Sequence, residues 1–146
     1  MIKKFFITWV THNSRYSDRM KLYKVEKKEW FFLNLEDRKL MYKLISDKIE
    51  DKWIKNYTLN VLSDHIHLVI IYDDEKLSKF IWEIKWAVSF KFSKIKNFSN
   101  KWDWKWIKIW AKSFSSTFLN DWESYEKAIN YTLENHTKHN IENIIH

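Results

Sequence analysis

Cysteine, glycine and proline are all absent from this 146-residue chain. Without cysteine there are no disulfides and no thiolate metal ligands. Long apolar runs are missing too: no stretch approaches the roughly 18 residues that a membrane span needs. The opening Met1-Ile2-Lys3-Lys4-Phe5-Phe6 has two lysines but too short an apolar part for a secretory segment. Thr11-His12-Asn13-Ser14-Arg15 ends it without a small-residue cleavage site. These absences exclude membrane and disulfide-scaffold classes and point to a cytoplasmic protein.

The glycine gap stands out, because average usage of about 7% would give roughly ten glycines in a chain of this length. Tryptophan, in contrast, occurs 10 times. Several tryptophans fall where glycine would be natural. Trp102, Trp104 and Trp106 alternate through a polar loop pattern, and Trp82 and Trp86 interrupt an amphipathic helix. Two explanations fit. A stop codon reassigned to glycine in the source organism is being read as tryptophan, or an AT-rich genome encodes a genuinely Trp-rich protein. Mass spectrometry of the native protein separates them.

Hydrophobic residues make up 45% of the chain and charged residues 31%, a globular balance that excludes disorder. The length suits one domain over residues 1–146. The net charge of +7, from 26 Lys+Arg against 19 Asp+Glu, suits a polyanionic partner.

Periodicity gives the element order. Lys4 to Thr11 reads as a first strand, followed by a polar loop with Arg15 and Arg19. Met20 to Phe32 is ambiguous between a short strand and an irregular arm. Asn34 is an N-cap candidate with Asp37 three residues on, and Leu40, Met41, Leu44, Ile45 and Ile49 follow at helical spacing. This helix is predicted over Leu35 to Asp51. Ile54 to Leu62 alternates as a second strand and pairs through a Ser63-Asp64 turn with a third that opens at His65. Asp73-Asp74 starts a second helix with Leu77, Phe80, Ile81, Ile84, Val88 and Phe92 on one stripe. Asn97 to Lys105 is a loop, Ile107 to Phe118 a fourth strand region, and Trp122 to about His139 a last helix. The order β-α-β-β-α-β-α predicts an α+β fold. Its first six elements are those of a ferredoxin-like split β-α-β: a four-stranded antiparallel sheet with both helices on one face. The C-terminal helix is extra to that pattern and would be free to cross to a functional site.

His65 and His67 are two apart on the third strand, so their rings point the same way, with Ile66 and Leu68 on the opposite face. Two imidazoles side by side on a strand form half of a divalent-metal site. A bare His-x-His also recurs by chance, one ring in the core and one at a strand end. The last helix carries Tyr125, Tyr131, Asn135, His136 and His139. Tyr131 and Asn135 are i, i+4 and share a helix face. A tyrosine on such a helix is by default a core-edge aromatic. With a metal beside it, a phenol can act as a nucleophile.

"VLSDHIHLVI" followed by "AINYTLENHTKH" resembles the single-tyrosine HUH transposases, the IS200/IS605 type and the related REP-associated tyrosine transposases. "ITWVTHNSR" is similar to that family's first strand and loop, and "IWAKSF" to the segment before its last helix. "FIWEIKWAVSFKF" is similar to its second helix, which usually has glycine where Trp82 and Trp86 stand. The resemblance spans nearly the whole chain. It implies a divalent ion, Mg²⁺ or Mn²⁺, on His65, His67 and Asn135, with Tyr131 attacking a phosphodiester to give a 5′-phosphotyrosine. It further implies single-stranded DNA as substrate, often with a hairpin at the element end, and a homodimer.

Tyr125 is the rival nucleophile, but six positions from Tyr131 puts it roughly 120° round the helix. His136 and His139 read as C-terminal cations of the helix, and Asp64 as a turn residue that could instead partner His65. Lys85, Lys91, Lys94, Arg15 and Arg19 are candidate phosphate contacts, against the default of a solvated face. Two rival functions remain: a non-catalytic nucleic-acid-binding module on the same sheet, and a metal-dependent hydrolase in which water attacks.

Overall fold

The computed structural model describes residues 1–12, 14, 22–24, 31–96 and 108–138, with the side chains of 135–138 excepted. The loop arginines Arg15 and Arg19, Trp102, Trp104, Trp106 and His139 lie outside the described residues, as does the loop expected from Asn97 to Lys105.

Strand β1 (Ile2–Val10), helix α1 (Leu35–Glu50), strands β2 (Tyr57–Val61) and β3 (His65–Asp73), helix α2 (Asp74–Lys96), strand β4 (Ser115–Leu119) and helix α3 (Trp122–Lys138) follow in that order. The sheet is ordered β2-β3-β1-β4, and every neighbouring pair is antiparallel. This is the split β-α-β arrangement expected from the element order. The observed strands differ from the expected bounds mainly at β4. Of Ile107 to Phe118, described from Lys108 onward, the part from Ser115 forms the regular strand. Upstream, Trp110 makes an isolated bridge to Thr11, and Ile109 and Trp110 are buried in the core. The polar Lys112 and Ser113 separate the two.

Two-residue alternation sorts β1 between the faces of the sheet. Phe5, Ile7 and Trp9 are buried with Ile66, Leu68 and Ile70 of β3. Met41, Ile45 and Ile49 from α1 and Phe80, Ile81, Ile84, Val88 and Phe92 from α2 belong to the same cluster. Apolar stripes at 3.6-residue spacing on two helices meet an apolar sheet face, and that burial is the main stabilising term. Asn34 caps α1 as expected: its side chain accepts from the Asp37 amide at 2.9 Å, and the Asn34 amide donates back to the Asp37 carboxylate at 3.4 Å. Lys96 at the end of α2 pairs with Asp37 at 2.7 Å, and the buried Arg38 Nε donates to the Val61 carbonyl at 2.9 Å. These contacts tie the two helices to each other and to the hairpin.

No helix among the described residues is long and apolar enough to cross a membrane.

Candidate active site on the sheet face beneath helix α3

The second sheet face carries Phe6 and Thr8 from β1, His65 and His67 from β3, and Asn60 from β2. Register puts Asn60, His67, Thr8 and Ser115 in one row across all four strands. Helix α3 packs over this face, contacting every strand.

The imidazoles of His65 and His67 lie on one side, with ring centroids 4.7 Å apart, as two-residue spacing requires. Both are nearly buried, at 8% and 6% exposure. Each has a fixed partner at Nδ1. Asp64 Oδ1 is 2.6 Å from His65 Nδ1, and the Thr8 hydroxyl is 3.0 Å from His67 Nδ1. Asp64 is therefore more than the turn residue suggested by its place between β2 and β3. The turn itself is pinned by the Thr11 amide, which donates to the Asp64 carbonyl at 2.9 Å, and by the Leu33 amide on Ser63 at 2.8 Å.

Tyr131 sits on the same face. Its ring meets His67 edge-on at 5.7 Å between centroids, and meets Phe6 at 5.9 Å. Phe6 in turn stacks on His67 at 5.2 Å. The three rings form one cluster, and Tyr131 stays 43% exposed at its outer edge. Solvent access keeps a phenol reachable by a large substrate, while the ring contacts limit its wander. Tyr125 lies at the N-terminal end of α3, where its ring packs on Trp122 at 5.5 Å. Asn135 and His136 are on the helical backbone of α3, but their side chains are outside the described set. Among the described residues, no group of three or more His, Asp or Glu side chains is placed to hold a metal.

Phe6, Thr8 and Asn60 belong to this site and were not singled out from the sequence. The signal was there in part: a threonine between Ile7 and Trp9, and an asparagine between Leu59 and Val61, are polar residues inside apolar strands.

The lysines divide. Lys91 and Lys94 are exposed on α2. Lys85 is only 4% exposed, and its ammonium donates to the carbonyls of Ala111 at 2.9 Å and Ser113 at 3.1 Å. It holds the segment before β4 against α2, and that geometry does not support a phosphate contact. Burial pushes the Lys85 ammonium down from 10.5 to about 8, with repulsion from Lys108 adding to the effect. Unfolded lysine keeps its proton to higher pH, so between those two values the unfolded chain binds more protons and stability rises with pH. Relative to a Lys85→Met variant, the unaltered protein should therefore gain about 1 kcal/mol between pH 8 and 10, after allowing for solvent screening. Urea unfolding at stepped pH reads this directly.

Comparison with solved structures supports the same fold. A REP-associated tyrosine transposase bound to a REP hairpin aligns with a TM-score of 0.56 and 19% identity, covering 94% of this chain and 68% of that one. A protein assigned as a transposase from Deinococcus radiodurans R1 aligns with a TM-score of 0.59 and 14% identity, covering 92% and 91%. No curated protein sequence matches the chain significantly. The family described as "Transposase IS200 like" matches residues 14–139, which takes in the histidine pair, Tyr131 and Asn135. On that match the chain belongs to the IS200-like transposases, a family of DNA-processing enzymes.

Proposed function

We propose that this transposase nicks and rejoins single-stranded DNA, with Tyr131 as the nucleophile and a divalent ion on His65, His67 and Asn135. The observation that carries the reading is the Tyr131 ring packed 5.7 Å from His67, on the face that both imidazoles share.

The chemistry follows from the side chains. The Tyr131 hydroxyl oxygen attacks phosphorus, the bond to the 3′ oxygen breaks, and the phenolic proton is lost as the 3′ oxygen gains one. The products are a 5′-phosphotyrosine and a free 3′-OH. One phosphodiester replaces another, so a second 3′-OH can reverse the step on a new strand without ATP. Phe6 and His67 hold the phenol ring in place between turnovers.

The histidine pair fits a cation. Ligating histidines usually give their other nitrogen to a carboxylate or a similar acceptor. Asp64 on His65 Nδ1 has that form, and the Thr8 hydroxyl fixes His67 in the same way, so coordination would use Nε2 of each ring. Two imidazoles suit Mn²⁺ better than Mg²⁺, which prefers oxygen donors. When bound, the ion would supply Lewis-acid polarisation of the scissile phosphate.

Lys91 and Lys94 are proposed backbone phosphate contacts, together with Arg15 and Arg19 of the first loop. A hairpin-ended substrate is supported by the hairpin-bound relative, and a homodimer by the family resemblance. The test is incubation of the purified protein with single-stranded oligonucleotides and Mn²⁺ or Mg²⁺. A protein–DNA species that survives boiling in detergent is expected. Oligonucleotide binding without that species would favour a plain nucleic-acid-binding module.

A further inference from the structure

We propose that Asn60 is a positioning residue for Tyr131, tying helix α3 to the row of the sheet that carries His67. This rests on the reading of Tyr131 as the nucleophile. Asn60 is fully buried in β2, and its side-chain Nδ2 donates to the main-chain carbonyl of Thr132 at 3.0 Å. Thr132 is the residue after Tyr131. It is fully buried too, and its hydroxyl donates back along the helix to the Ala128 carbonyl at 2.8 Å. Asn60 stands directly opposite His67 in the β2–β3 register. Its neighbours Leu59 and Val61 are buried in the core on the other face. One strand position thus links a helix carbonyl one residue past Tyr131 to the row that holds the imidazole.

The physical consequence is a fixed register. Sliding a helix by one residue moves it about 1.5 Å and turns it about 100°. Either change would carry the Tyr131 hydroxyl away from the histidines, and displacements on the order of 1 Å cost on the order of 100-fold in rate. Apolar packing between α3 and the sheet is non-directional and tolerates such slips. A buried amide on one named carbonyl does not, because breaking it leaves the Asn60 Nδ2–H donor unpaired in a low-dielectric site.

The experiment replaces Asn60→Leu, which keeps the size without the donor, and Asn60→Ser, which keeps polarity in case the first fails to fold. Backbone amide exchange is followed along residues 128–134 and along β1 and β3. Single-turnover adduct formation and oligonucleotide affinity are measured beside it. Exchange in α3 should accelerate about tenfold with the sheet unchanged. Adduct formation should slow at least tenfold at constant DNA affinity. Unchanged exchange in α3, or equal acceleration in sheet and helix, overturns the tether. A loosened helix with a normal adduct rate overturns the positioning role. A loosened helix with no adduct even from the unaltered protein overturns the nucleophile reading, and the positioning role with it, while the contact itself stands.

A separate observation carries a second inference: we infer that position 53 of the native polypeptide is glycine. Helix α1 ends at Glu50, and the Trp53 amide donates to the Glu50 carbonyl at 2.9 Å as the chain turns away toward β2. Trp53 has φ 62°, in the left-handed region, and is 88% exposed. Glycine is the usual left-handed residue after a helix, because a Cβ clashes with the following carbonyl there. Lys24 shares a positive φ of 55°, so backbone angle alone does not single out Trp53. What does is the conjunction with a chain that has no glycine and 10 tryptophans. The structure also sorts the other tryptophans. Trp9 and Trp110 are buried and meet edge-to-face at 6.1 Å, as genuine core residues do, whereas Trp82 and Trp86 stand exposed on α2. A stop codon decoded as glycine accounts for Trp53, Trp82 and Trp86, whereas Trp122, exposed too, packs on Tyr125 at the start of α3.

Peptide mass spectrometry of protein from its native source should read glycine at 53, 82 and 86 and tryptophan at 9 and 110. Tryptophan at 53 overturns the inference. In recombinant protein carrying tryptophan, Trp53→Gly should raise the melting temperature by a few degrees, and a fall would remove the backbone argument.

Discussion

Replacing Tyr131 with phenylalanine is expected to abolish the covalent protein–DNA product, by a factor on the order of 10⁴ or more, because no other group replaces a missing nucleophile. The substitution removes one hydroxyl and keeps the ring. The edge contacts to His67 and Phe6 are made by the ring, so they survive. Tyr131 is 43% exposed, and loss of its hydroxyl should cost less than about 1 kcal/mol of stability. Fold, metal affinity and oligonucleotide affinity should all stay near their starting values. Tyr125→Phe is the matched control. Its ring packs on Trp122 at the start of α3, and the variant should form adduct at the normal rate. Strand cleavage that persists in Tyr131→Phe would show water as the nucleophile and make the protein a hydrolase.

His67→Ala should lower adduct formation on the order of 100- to 1000-fold, and unlike Tyr131→Phe it should also abolish saturable Mn²⁺ binding. His67 is the centre of the site. It accepts or donates at Thr8, stacks on Phe6, and meets both His65 and Tyr131. Removing it opens space in a nearly buried cluster and should cost about 1–2 kcal/mol of stability. Melting temperature must therefore be measured with activity, and the comparison made well below it. Calorimetric titration with Mn²⁺ separates the two variants: binding retained in Tyr131→Phe and lost in His67→Ala is the expected pair. Full adduct formation by His67→Ala would sink the proposed site, whatever else the histidine does.

Much of the fold was legible in local patterns. Apolar, β-rich runs in Phe5 to Val10 and Ile66 to Tyr72, and helical spacing in Leu40 to Ile49 and Leu77 to Phe92, set the element order. The two-residue period of a strand placed both imidazoles on one face. The Asn34–Asp37 cap was visible because capping is local, within three residues. Local patterns failed where a partner lies far off in the chain. Lys85 reads as one more cation on a charged helix face, yet its ammonium is used by carbonyls 26 and 28 residues away. The strand expected from Ile107 is broken at Lys112 and Ser113: Trp110 and Ala111 meet the end of β1 at Thr11 and Val10, and regular pairing with β1 begins at Ser115.

The sequence by itself determined that two histidines would stand together on a strand and that a tyrosine and an asparagine would share a helix turn, since both follow from the fixed repeats of strand and helix. Only the tertiary structure decided that this helix lies over the histidine face, that Tyr131 rather than Tyr125 meets His67, and that Asn60 ties the helix there. Those contacts join residues 64 (131 minus 67) and 72 positions apart, brought together by packing and register, which no short-range period records.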